Sequence, residues 1–150
     1  MEDQPIEENA LMNIEQDYYN RLFHNRLCPS QKEGEKRDKK NYPFEFMWEL
    51  FVYAAILGFR KGQPKPLNKL NKPFRWTNIG NQHRKNLLAL AVAKAGSFDI
   101  LKDREMLKQY IEEYANAGLA IIDQELKNSP SAYADLETFT LRILHSLPKA

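Results

Sequence analysis

Between Phe46 and Phe59 the chain reads FMWELFVYAAILGF, with Glu49 as its only charge. Trp48, Phe51, Val52, Ala55, Ile56 and Phe59 recur at intervals of three and four, the period of one helix face. Leu50, Tyr53, Ala54 and Leu57 make the opposite face apolar too, and a helix that is hydrophobic all round belongs at the centre of the packing. Pro43 suits its first turn, where a missing N–H costs nothing, and Gly58 predicts its end. The run is fourteen residues long. A bilayer span needs about twenty, so the pattern describes a core helix and no membrane segment.

Helical spacing recurs along the rest of the chain. Ile14, Tyr18, Leu22 and Phe23 predict a first helix from about Ala10 to Leu27. A third spans about Asn81 to Ala95, with Leu87, Leu88, Leu90, Ala91 and Val92 inward. A fourth segment starts near Ser97 and continues as a long helix from about Asp103 to Leu126. Its stripe is Leu107, Ile111, Tyr114, Gly118 and Ile122, with Lys108, Glu112, Glu113 and Glu125 elsewhere on the wheel. Gly118 inside that stripe is unfavourable by about 1 kcal/mol against Ala, which predicts close approach of another helix. Ser129-Pro130 opens a fifth helix, with Leu136, Phe139, Ile143, Leu144 and Leu147 as its stripe and Pro148 as its stop.

Two stretches break the pattern. Ser30–Asn41 has no apolar residue and mixed charge, the composition of a solvated linker. Residues 60–76, RKGQPKPLNKLNKPFRW, hold three prolines and six bases, so a regular helix is prevented and an extended arm is expected. The expected architecture is all-α: a single-domain bundle of about five helices with a basic, Pro-rich arm between helices 2 and 3. Residues 1–41 form an acidic N-terminal helix plus charged linker, and residues 42–150 the helical core domain.

Charge sharpens this picture. The formal net charge is only +2, yet from Glu49 to Asp99 no acid occurs and nine bases do: Arg60, Lys61, Lys65, Lys69, Lys72, Arg75, Arg84, Lys85 and Lys94. Residues 1–17 carry six acids and no base. A field of one sign inside a nearly neutral chain implies a surface of the opposite sign. Phe74 and Trp76 close the arm, and bases for phosphates plus flat rings for stacking suit nucleic acid. Three other readings stand beside that one: an acidic protein partner, a merely solvated face, and neutralisation by the acidic segment within a monomer or homo-oligomer. Arg84 and Lys85 lie in the first turn or so of their helix, the wrong end for its dipole, which argues for another use.

No constellation for catalysis emerges. Glu45 and Glu49 are four apart, a spacing open to metal or acid–base work, but no second helix offers a matching Glu-x-x-His pattern. They read as a helix edge answering the basic arm. His83 sits in NQHRKN without a paired His or a nearby carboxylate, and Cys28 has no His to activate it. Neither a phosphate-cradling loop nor the dinucleotide fingerprint is present. Helix-turn-helix, zinc-finger and RNA-binding signatures are missing too. One cysteine excludes an internal disulfide and a Cys-rich zinc site. With an acidic, polar start in place of a signal peptide, a cytoplasmic chain without a cofactor is expected.

Two blocks carry a family resemblance. Leu50 to Gly62 (LFVYAAILGFRKG), running on to Pro66-Leu67 and Arg75-Trp76, resembles small bacterial proteins encoded beside DNA phosphorothioation (dnd) genes. Glu112 to Leu119 (EEYANAGL) resembles a second block of the same proteins at the right distance downstream. The similarity covers roughly residues 42–126. It implies an accessory role in a bacterial anti-phage defence or DNA-modification locus, with DNA or a DNA-handling protein of that locus as partner; with no catalytic constellation in the sequence, a non-enzymatic subunit is expected. It brings no catalytic residues. The contact residues expected from the basic stretch are Arg60, Lys61, Lys65, Lys69, Lys72, Arg75, Arg84 and Lys85, with Trp76 as an anchor. The alternative is a pure protein–protein adaptor whose arm docks on an acidic partner and never meets nucleic acid.

Overall fold

The computed structural model describes residues 5–23, 26–29 and 42–131. The linker Ser30–Asn41 and the body of the expected fifth helix lie outside these residues.

Strand β1 (Leu11–Glu15) leads into a single helical turn, α1 (Gln16–Tyr18), which continues as a wider π-helical turn over Tyr19–Phe23. After it come α2 (Met47–Lys61), strand β2 (Leu70–Arg75), a 3-10 turn (Trp76–Asn78) and α3 (Asn81–Ala95). A second 3-10 turn (Phe98–Lys102) leads to the long α4 (Arg104–Asn128). The all-α expectation is therefore overturned: among the described residues, four helices and a two-stranded antiparallel sheet make an α+β fold.

The sheet arises where a first helix was expected. Ile14, Tyr18 and Leu22 keep helical spacing, but Met12 and Ile14 also alternate with Asn13, and that two-residue period wins because β2 supplies the pairing. Leu11 pairs with Arg75, Met12 with Phe74, Ile14 with Asn71 and Glu15 with Leu70. Lys72 and Pro73 thus face the single Asn13, a bulge in β2. The bulge tolerates a proline because the extra residue owes no ladder bond. Even-numbered groups of β1 face β2, as the bonds from Trp76 N–H to Ala10 C=O (2.9 Å) and from Gln16 N–H to Lys69 C=O (2.8 Å) show. Asn13 therefore turns its N–H to the outer edge, where Glu112 of α4 accepts it at 2.6 Å.

Helices α2 and α4 run antiparallel and form the centre of the core, with Phe51, Leu50, Ile111, Leu119 and Ile122 inside. Their close approach is glycine-made. A Cβ on Gly118 would overlap the Ala54 carbonyl, and one on Gly58 would overlap the Tyr114 carbonyl. Gly58 is thus a contact inside α2 rather than its end; the helix stops at Lys61, with Gly62 as its C-cap. Nor does Pro43 open the helix. Phe46 stays extended, and the Glu49 carboxylate accepts its N–H at 2.9 Å and that of Glu45 at 3.1 Å. Those bonds cap the first turn.

Candidate nucleic-acid interface

The arm from Gly62 to Arg75 is moored along its length. Asn116, 2% exposed in the middle of α4, donates its Nδ2 to the carbonyls of Lys65 (3.0 Å) and Pro66 (3.2 Å). Lys65 N–H donates to the Glu113 carbonyl at 3.0 Å. The Glu15 carboxylate accepts the N–H groups of Asn68 (3.0 Å) and Lys69 (2.9 Å). Beyond that point β2 pairs with β1, and Phe74 meets Phe51 edge-on at 5.3 Å. Proline and missing helical propensity do not leave this segment loose, because partners from β1 and α4 take up its backbone groups.

This mooring sets which bases can reach outward. Arg60 and Lys61 sit in the last turn of α2, where the helix dipole favours them. Lys69 precedes β2, Lys72 stands in its bulge, and Arg75 ends it. Lys85 lies in the second turn of α3. All six are exposed and, among the described residues, make no ion pair. Lys65 is exposed but engaged: its ammonium donates to the Tyr18 hydroxyl at 2.5 Å and stands 4.9 Å from that ring's centroid. Arg84 is half-buried, with Nη2 3.5 Å from Asn81 Oδ1 and a buried Nε that has no partner. Trp76 corrects the expectation of an anchor at the surface. It is 3% exposed, and Phe74 is 8% exposed, so both rings belong to the core and leave the cations above them.

Among the described residues, the acidic N-terminal segment reaches the arm through Glu15, which accepts backbone N–H groups and pairs with no lysine. Sequence reasoning placed Glu112 off the buried stripe; it is 6% exposed. Beside the Asn13 N–H it takes Asn13 Nδ2 at 3.2 Å and the Lys108 ammonium at 2.9 Å. In sequence it looks like half of a surface i,i+4 pair with Lys108. Only the strand laid across α4 reveals its second use. Between arm and helix lies a groove of about 410 Å³, lined by Pro66, Leu67 and Leu70 on one side and Glu105, Gln109 and Glu113 on the other. With Lys108 neutralised by Glu112, that groove leans acidic and does not extend the basic surface.

Glu49 and Cys28 hold the structure locally; Glu49 does so by capping its own helix and, among the described residues, pairs with no base of the arm. The Cys28 thiol is buried and donates to the Phe23 carbonyl at 3.2 Å; burial, then the nearby Glu49 charge, push its pKa up to about 12. Such a thiol is a poor nucleophile. Among the described residues no group of three His, Cys, Asp or Glu side chains could hold a metal, and no helix is long and apolar enough to cross a membrane.

Fold and surface together define a small α+β domain whose main chemical asset is a cationic arm held rigid against its core. The chain belongs to the family of DNA sulphur modification system-associated protein 4, whose model matches residues 32–145. That match extends past the two blocks recognised in the sequence on both sides. It associates the chain with a DNA sulphur modification system. No curated protein and no solved structure gives a significant match.

Proposed function

We propose that this protein is a non-enzymatic accessory subunit of its modification system, acting in the cytoplasm in DNA modification or anti-phage defence, and that it contacts DNA through the basic arm. One observation carries the reading: Arg60, Lys61, Lys69, Lys72, Arg75 and Lys85 hold exposed charges without ion-pair partners among the described residues, three of them on a moored backbone. Cations fixed on a rigid frame gain phosphate contacts without the ordering cost of a mobile tail. The test is fluorescence anisotropy of a labelled duplex across a salt series. The expected log–log slope is about −3 or steeper, and a Lys69→Ala/Lys72→Ala/Arg75→Ala variant flattens it by about two to three. No binding at low salt would refute direct contact.

The adaptor reading gains support from Leu70, 51% exposed between Lys69 and Lys72. An exposed apolar side chain offers a protein partner a desolvated contact that a phosphate backbone would not use. Leu70→Ser separates the two: it leaves DNA affinity unchanged and weakens co-purification of a partner from the same locus.

A further inference from the structure

A second feature suited to nucleic acid lies away from the arm, at the junction of α2 and α3. Phe46 and Trp48 stack with centroids 5.9 Å apart and planes 15° from parallel, and His83 meets Trp48 at 5.5 Å and 50°. Trp48 is half-buried and His83 exposed, so the ladder ends at the surface. Gly80 permits the approach: a Cβ there would come 3.3 Å from His83 Cδ2 and 3.5 Å from Trp48 Cη2. Arg84, at the end of the first turn of α3, and Lys85, in the second, follow His83 in the chain. Arg84 is half-buried, its buried Nε without a partner among the described residues, and Lys85 is exposed without an ion pair among them. Core packing accounts for the inner ring of the ladder. It does not account for an exposed imidazole tilted over Trp48 on a helix that also carries Arg84 and Lys85.

We infer that the Trp48–His83 platform stacks an unpaired base of DNA while Arg84 and Lys85 hold the neighbouring phosphates. The inference rests on the DNA-contact reading above. Bases within a duplex are already stacked on one another, so a platform of this kind takes a base from a single strand or a frayed end. It is tolerant of sequence because every base has a π-face. Trp76 and Phe74 were the rings expected to do this; their burial moves the function to rings that the basic stretch did not advertise.

Two readouts on the full-length chain test it. Anisotropy of a labelled oligothymidylate of about twelve nucleotides reports binding, at a length within the usual single-strand site sizes. Tryptophan emission with the unlabelled strand reports stacking. The chain has two tryptophans, and Trp76 is 3% exposed, so quenching reports Trp48. The expected result is binding with quenching, loss of the quenching in Trp48→Phe, and single-strand affinity lower on the order of tenfold in His83→Ala. Duplex affinity stays unchanged in His83→Ala, and circular dichroism confirms that this exposed substitution leaves the fold intact. Binding without quenching, or His83→Ala binding the strand as well as the parent, overturns the platform and leaves the DNA reading standing. No anisotropy change with either strand or duplex removes the DNA reading and the platform with it.

Discussion

Gly118→Ala tests how the arm's mounting is built. The added Cβ would overlap the Ala54 carbonyl oxygen and lie 2.8 Å from the Ala54 Cα. Those atoms are backbone in the middle of α2, so no side-chain rotation relieves the clash and the two helices must part. Helix propensity alone would favour alanine by about 1 kcal/mol. Overpacking costs about 1–3 kcal/mol, and contact with main chain belongs at the upper end. The net expectation is a loss of about 2 kcal/mol, which lowers Tm by about 4–8 °C in a chain of this length. Thermal and urea melts followed by far-ultraviolet circular dichroism measure it. Ala54→Gly in the same chain should give no rescue, because the obstructing atoms remain. Gly96→Ala is the control: φ is +73° and nothing lies within 4 Å, so only the left-handed conformation is penalised, by about 1 kcal/mol. A Gly118→Ala protein as stable as the parent would refute the steric account of the α2–α4 seam.

Asn116→Ala should free the arm more than it unfolds the protein. Two hydrogen bonds to the Lys65 and Pro66 carbonyls disappear, but so does an Oδ1 acceptor that is buried without a partner. The expected cost is about 1 kcal/mol. The readout is trypsin: cleavage in the arm, at the Lys69–Leu70 bond, should speed up severalfold while the global melt moves little, and an unchanged cleavage pattern would refute the mooring. Cys28 should resist thiol reagents at pH 8 in the native protein and react once unfolded. Its raised pKa also sets a sign. As pH climbs above the ordinary 9.0, the unfolded chain ionises this thiol while the folded one, at about 12, does not. Stability from this group is therefore full below 9 and falls by about 1.4 kcal/mol per pH unit above it. Comparison with Cys28→Ala isolates the effect, and parallel pH profiles for the two proteins would refute it.

Where a segment's character is set by its own neighbours, the sequence predicted it. The α2 run shows its burial because apolar residues cover every side of the wheel, and α3 and α4 begin and end within a few residues of their expected limits. Gly118 was legible as a close approach because a glycine inside an apolar stripe has a cost that packing must repay. The acid-free stretch was legible as a cationic surface because a long-range field is a sum over composition.

What the sequence could not convey is what depends on a partner distant in the chain. Residues 10–15 satisfy both a helical and a strand period, and only β2, some sixty residues away, decides between them. The expected platform failed for the same reason. Phe74 and Trp76 sit among bases in sequence, but strand pairing turns them inward. His83 and Trp48, thirty-five residues apart, meet only because α3 folds back over the start of α2. Glu112 and Asn116 look like polar residues on the water side of α4 until the arm and β1 lie across them. The sequence by itself therefore determined α2, α3 and α4, their apolar stripes and the sign of the surface, because local periodicity and summed charge survive without coordinates. Which cations are held rigid, which rings are exposed and which carboxylates are buried was decided by the tertiary structure, because each is a property of contacts between segments far apart in the chain.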